Sequence, residues 1–268
     1  MRSVVCLGAV LGLLGAADAG RSAPDGLSPG RAAEIVRRGV AHAGGWAAWE
    51  SKKTVQFRKT TRRFRPDGSI EKVRVETHRY QLHPSFAARI EWDEDGKRIV
   101  LINDGRDAVK LIDGNPAVEQ SDVNQARNST FGSHYVFCMP FKLADPGAHH
   151  VVADPVIVGG RRVDGVRVTY DRGAGDAGGL HTWTYYFDAQ SGGLVANLLN
   201  YEPGKYDFTE YLDERVINGL RLPTRRDGYA ADARGKTGPR LSEIEYEDIR
   251  FDVALDEALF RGVRPGGT

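Results

Sequence analysis

Apolar residues first recur at helical spacing at Ala32, Ile35, Val36, Val40 and Ala41. This predicts a helix opening near Ser28-Pro29, with serine as cap and proline in the first turn, and closing at Gly44-Gly45. From Trp46 onward the period shortens to two, and strands are expected near residues 54–64, 70–82, 86–93, 98–103 and 108–112. Asp67-Gly68, Asp95-Gly96, Asp104-Gly105 and Asp113-Gly114 separate them, dipeptides that tolerate the positive φ of tight hairpins. Residues 118–137 lose the alternation and read as helical in part, with Val118, Val123 and Phe131 as their apolar positions. Strands resume near 156–159, 162–171, 181–188, 194–201, 207–217, 220–229 and 241–251, punctuated by Gly159-Gly160, Asp164-Gly165, Gly192-Gly193 and Asn218-Gly219. Alternation is clearest in Val166, Val168 and Tyr170 and in Trp183, Tyr185 and Phe187. Each strand is thus expected to be apolar on one face, with the other free to meet water.

Strands that follow strands through tight turns point to a mainly β protein with one large antiparallel sheet rather than parallel βαβ units. A sheet of about ten or more strands has to curl or split. No fixed-period repeat or linker interrupts residues 29–268, so the expected architecture is one domain: a single strongly curved sheet enclosing a few helices.

The first residues change the compartment. Met1-Arg2, an apolar run over residues 3–16 and the small residues Ala17-Asp18-Ala19 are the three parts of a secretory signal peptide, with cleavage expected after Ala19. The run falls short of the ~20 residues of a spanning helix, and Cys6 inside it is misplaced for lipid attachment. Residues 20–28, rich in Gly, Ser, Pro and Asp, read as a flexible lead-in. The mature protein is expected in the periplasm or secreted, with no integral membrane span. Cleavage leaves Cys138 as the remaining cysteine, so neither an intramolecular disulfide nor a cysteine metal cluster is expected.

The chain has 268 residues and a formal net charge of +1, which gives nucleic acid no global attraction. The basic run Arg58-Lys59-Thr60-Thr61-Arg62-Arg63-Phe64-Arg65 alternates with Val55 and Phe57 and reads as a charged outer face or edge of a sheet. Among seven histidines none forms a His-Glu-x-x-His pair, and His149-His150 would point to opposite faces of a strand. Surface or capping roles are expected for them. Glu91, Asp93, Glu94 and Asp95 before Gly96 read as a charged hairpin tip. No nucleophile elbow, phosphate loop or dinucleotide fingerprint is present, so no catalytic residue, metal or cofactor is assigned and the reading is non-enzymatic. The remaining signal is an apolar segment, Phe137-Cys138-Met139-Pro140-Phe141, irregular because of its proline and suited to cover an apolar ligand at a sheet mouth.

His42-Ala43-Gly44-Gly45-Trp46, Tyr135 through Gly147, Trp183 through Asp188, Tyr246 through Phe251 and Leu255 through Phe260 resemble segments of exported bacterial proteins in the LolA-like superfamily of periplasmic lipoprotein carriers. That resemblance implies a half-barrel whose concave side, covered by helices, holds acyl chains without covalent chemistry. The expected ligand is a lipid or lipoprotein acyl chain, with Phe137, Met139 and Phe141 as lid contacts and Trp183, Tyr185 and Phe187 as cavity wall. Alanine at Phe141 is expected to weaken binding and leave the fold intact. Two rivals stay open: an envelope interaction module, favoured by a filled core, and an enzyme using His42 or His134, favoured by a pocket where one of them faces a carboxylate.

Overall fold

The computed structural model describes residues 27, 30–175 and 178–261. The signal peptide, nearly all of the lead-in and the Ser28-Pro29 cap lie outside them. Helix α1 (Arg31–His42) is followed by a short α2 (Trp46–Glu50), where the sequence pattern had suggested that strand periodicity began. Gly45 turns the chain between them, so Trp46 and Trp49 sit one helical turn apart rather than on a strand.

One meander runs through β1 (Thr54–Phe64), β2 (Ile70–Gln81), β3 (Ala87–Glu94), β4 (Lys97–Asn103), β5 (Ala108–Ile112) and β6 (Asn115–Pro116). Helix α3 (Gln120–Phe137) and a 3-10 turn (Phe141–Ala144) follow. A second meander comprises β7 (Ala148–Val158), β8 (Arg161–Tyr170), β9 (Thr182–Asp188), β10 (Leu194–Glu202), β11 (Lys205–Ile217), β12 (Leu220–Ala231) and β13 (Thr237–Phe251). Antiparallel pairing of β1 with β13 joins the two into one curved, open 13-stranded sheet with β6 and β7 at its edges.

Asp95-Gly96, Asp113-Gly114, Gly159-Gly160 and Asn218-Gly219 take positive φ at both residues, the geometry that lets a two-residue turn follow the twist of its strands. Asp164-Gly165 is different. It lies within β8, where a Cβ on Gly165 would come 3.0 Å from that of Ala153, so this glycine serves strand packing rather than a turn. Strand β7 also begins eight residues before the expected 156, its alternation obscured by Pro155 at a register shift.

Alternation directs Val55 and Phe57, Tyr80, Val166 and Val168, Trp183, Tyr185 and Phe187, Leu222 and Tyr246 to the concave face, where they form the main core with α1, α2 and the end of α3. Leu27, from the expected lead-in, is buried in that core. The other face is not uniformly polar: Val163, Tyr186, Ala196, Leu198 and Phe208 make a second small cluster there. The basic run lies on β1, a central strand. Arg62 bonds Glu243 and Glu245 of β13 at 2.7 Å each on the convex side, while Lys59 turns inward.

Candidate functional site

The connection from β6 to β7 leads from one edge of the sheet to the other, and α3 with its 3-10 turn carries it over the concave face. The apolar segment is therefore less irregular than its proline suggested: Phe137 ends the helix and Phe141 begins the 3-10 turn. Phe137 stacks on Phe57 with centroids 4.2 Å apart. Phe141 stacks on Trp49 at 4.7 Å and meets Trp46 edge-on at 5.8 Å. On the wall, Trp183 and Tyr185 stack at 5.7 Å, and Phe187 packs so closely on α1 that a Cβ at Gly39 would lie 2.4 Å from its ring.

All six residues singled out in the sequence, Phe137, Met139, Phe141, Trp183, Tyr185 and Phe187, thus meet in one buried core. They line no open cavity. The void beside Met139 and Pro140 measures about 10 Å³, room for a single water. A larger concavity of about 410 Å³ opens where β2 and β3 part beyond Thr77 and Glu91, beside Val73, Val75 and Trp92, and contains none of the six.

Polar links hold residues 120–144 to the sheet along their length: Lys110 donates to Asp122 at 2.7 Å and to Gln125 at 2.9 Å, Asn103 donates to the Thr130 hydroxyl at 2.9 Å, and Arg127 donates to the Arg106 carbonyl at 3.1 Å. Tyr135 shares hydroxyl hydrogen bonds with Tyr170 at 2.6 Å and with Tyr185 at 3.2 Å. His150 Nε2 donates to the Leu143 carbonyl at 2.6 Å, and Arg226 donates to the carbonyl of Val136. Arg226 is 4% exposed, with its guanidinium over the rings of Tyr211 at 4.9 Å and Tyr246 at 5.0 Å. Sequence reasoning passed over this arginine. The alternation of Leu220, Leu222 and Thr224 on β12 carries the signal, because the next inward position is Arg226.

Surface or capping roles fail for two histidines. His134 is buried with Nε2 unpartnered, and burial, reinforced by Lys142 and His83, holds its pKa well below the ordinary value. His78 is fully buried on β2 between Glu76 and Tyr80, which share its face. Burial lowers its pKa to about 4 against the opposing pull of Glu76. The neutral ring donates from Nε2 to Glu76 at 3.2 Å and accepts at Nδ1 from the Tyr80 hydroxyl at 2.8 Å. Burial pushes the Glu76 carboxyl upward, but Lys59 Nζ at 2.9 Å and His78 outweigh it and keep the carboxylate ionised. His149 pairs instead with Asp171 at the surface. Cys138 is buried, as its apolar neighbours implied, and burial pushes its thiol far up. Glu91 departs from the expected hairpin tip: it is 8% exposed among Arg79, Arg89 and Arg98.

His42 Nε2 lies 2.8 Å from Glu214 beside that small void, so a histidine does face a carboxylate, at a partly exposed position. Among the described residues no group of three or more His, Cys, Asp or Glu side chains gathers as a metal site, and no helix is long and apolar enough to cross a membrane.

No family model matches the chain, and none of the curated proteins is detectably similar to it in sequence. Solved structures are similar in shape. A LolA superfamily protein from Nitrosomonas europaea superposes with a TM-score of 0.56 at 13% identity, covering 86% of this chain and 97% of the other. A DUF1329 family protein from Desulfovibrio piger gives 0.55 at 10% identity, with the same coverage of both chains. A domain named for outer membrane lipoprotein sorting, from Vibrio parahaemolyticus, gives 0.51 at 10% identity over 85% of this chain and 94% of the other. At such identities the likeness concerns architecture: a curved antiparallel sheet closed over its own helices is the LolA-like half-barrel fold.

Proposed function

We propose that this protein is an exported, non-catalytic binding or carrier protein for an apolar ligand, the acyl chain of a lipid or lipoprotein, and that residues 120–144 are a plug the ligand displaces. The observation that carries this reading is the source of the filling. A concave face lined by Trp183, Tyr185, Phe57 and Tyr80 is occupied by Phe137, Met139, Phe141 and Leu143, side chains of one continuous segment. Lifting one segment would expose a continuous aromatic trough. Phe137, Met139 and Phe141 are then its lid and Trp183, Tyr185 and Phe187 its wall. The reading includes a signal peptide over residues 1–19 and a half-barrel over residues 29–268 that acts in the periplasm or outside the cell.

Native mass spectrometry of the protein purified from the periplasm, followed by solvent extraction, tests it. A co-purifying or added acyl lipid retained at a defined ratio is the expected result. A clean apo mass that persists after incubation with envelope lipids overturns the carrier reading. It would favour the second reading, an envelope interaction module, which draws support from the close burial of Phe137, Met139, Phe141, Tyr185 and Phe187 beneath the sheet.

A further inference from the structure

A buried guanidinium is costly unless an anion compensates it. Two arginines close by on the sheet are paired. Arg225, the neighbour of Arg226 in sequence but on the convex face, reaches Asp227 at 2.8 Å and Glu243 at 3.5 Å, and Arg240 reaches Asp227 at 2.9 Å. Among the described residues Arg226 forms no ion pair, and its Nε has no hydrogen-bond partner although the side chain is buried. What it has instead is two aromatic faces and the carbonyl of Val136 in the last turn of α3, where the helix presents partial negative charge.

Those partners divide by origin. Tyr211 and Tyr246 belong to the sheet and stay with Arg226 whatever the plug does; the carbonyl belongs to the plug and leaves with it. Lifting α3 would free Nη2 beside an Nε that is already unpartnered. These two donors form the side-on edge with which arginine binds a carboxylate or phosphate in bidentate fashion. The surrounding rings would keep water from competing, and Phe137, which packs on Tyr246 at 5.6 Å, marks where the apolar part of a ligand would lie against the same tyrosine.

We propose that Arg226 is the receptor for an anionic group, a carboxylate or phosphate carried on the apolar ligand, and that the Val136 carbonyl holds its place in the closed state. This inference rests on the carrier reading and narrows its ligand from any apolar chain to an amphiphile with an anionic head. A merely structural role, pinning α3 through one carbonyl, would give no preference between charged and neutral chains.

The test is displacement of the neutral probe N-phenyl-1-naphthylamine from the full mature chain by palmitate and by methyl palmitate, which share a chain and differ in charge. Palmitate is expected to compete about tenfold to a hundredfold more strongly, the worth of a charge-assisted hydrogen-bonded pair. Arg226→Gln is expected to abolish that difference by weakening palmitate alone, and Arg226→Lys to restore part of it. Equal competition by acid and ester in the unmodified protein overturns the inference and leaves the carrier reading standing, whether or not the variants fold. Failure of the probe and of both chains to bind overturns both. Inorganic phosphate, which has the charge without the chain, is expected to leave bound palmitate in place; displacement at like concentration would mean a free-anion site and refute the assignment to a ligand headgroup.

Discussion

Replacing Phe141 with alanine is expected to destabilise the protein mainly by loosening the plug. The ring is 2% exposed, lies parallel to the Trp49 indole at 4.7 Å and touches Trp46 with its edge. Truncating a phenylalanine buried in this way removes its transfer free energy and leaves a cavity between two tryptophans, a loss of about 3–5 kcal/mol. For a protein of this size about 1 kcal/mol moves the midpoint by about 2–4 °C, so a fall of about 6–20 °C is expected in calorimetry. Amide exchange distinguishes where the loss falls. If residues 120–144 open as a unit, exchange in α3 should accelerate more than in β1, β9 or β13, which stay paired within the sheet. A loss below about 1 kcal/mol would refute the packing described for this ring. Uniform acceleration across the sheet would refute a plug that opens separately. Because the ring packs on α2 in the closed state, the weaker ligand binding expected of a lid contact has to be measured below the variant's own transition.

Gly39→Ala should destabilise by about 1–3 kcal/mol in urea titration, because the new methyl overlaps a Phe187 ring that is itself fully buried; wild-type stability would show that α1 can slide on β9. Cys138 should resist alkylation by N-ethylmaleimide in the closed protein and react faster with an acyl ligand bound, since plug opening exposes the thiol. Ligand binding with no change in labelling rate would place the ligand elsewhere. Part of the pH dependence follows from His78, whose folded pKa of about 4 lies below its ordinary 6.5, and the buried His134, also held below its ordinary value, acts in the same direction. The unfolded chain takes up the His78 proton first, so the stability that neutral His78 supports is complete above about pH 6.5 and declines by of order 3 kcal/mol as pH falls toward 4. His78→Gln should reduce the slope of urea midpoints across that window, leaving the share due to His134; an unchanged slope would mean that the His78 ring does not contribute.

The strands were the most legible part of the chain. Alternation placed β1, β5 and β9 within a residue of their observed bounds, because each has one face in the core and a one-residue slip would turn it outward. Helix α2 was hidden by its length, since five residues are too few to display a helical period. Composition also concealed the polar interior. Glu76, His78 and Arg226 are residue types that usually face water, and the alternation that turns them inward counts for little until the strand's buried face is known. Of the candidate site, the six apolar residues could be found as local concentrations of aromatic and sulfur side chains. Their partners Phe57, Trp49 and Tyr246 could not, because they come from opposite ends of the sequence.

The plug itself follows from topology, by a step that no local pattern supplies. Laid flat, 13 strands spaced about 4.8 Å apart would separate β6 from β7 by about 58 Å. Yet α3, the main element joining those edges, is an 18-residue helix and reaches about 27 Å. The rest of the connection could make up the difference only by running largely extended, whereas it turns back through the 3-10 turn Phe141–Ala144, so the connection as folded fits a curled sheet, and the shortest path between the edges of a curled sheet runs across its concave side. Curvature of the half-barrel and the position of the plug are consequently one fact. The sequence shows a helical insert between two meanders, but it leaves unstated that β1 pairs with β13, and without that pairing the insert need cross nothing. Once the pairing is made, an apolar segment such as Phe137 through Leu143 has to come to rest on the aromatic face beneath it. That obligation makes the segment both a closure for the fold and the element that any ligand of this face must first move.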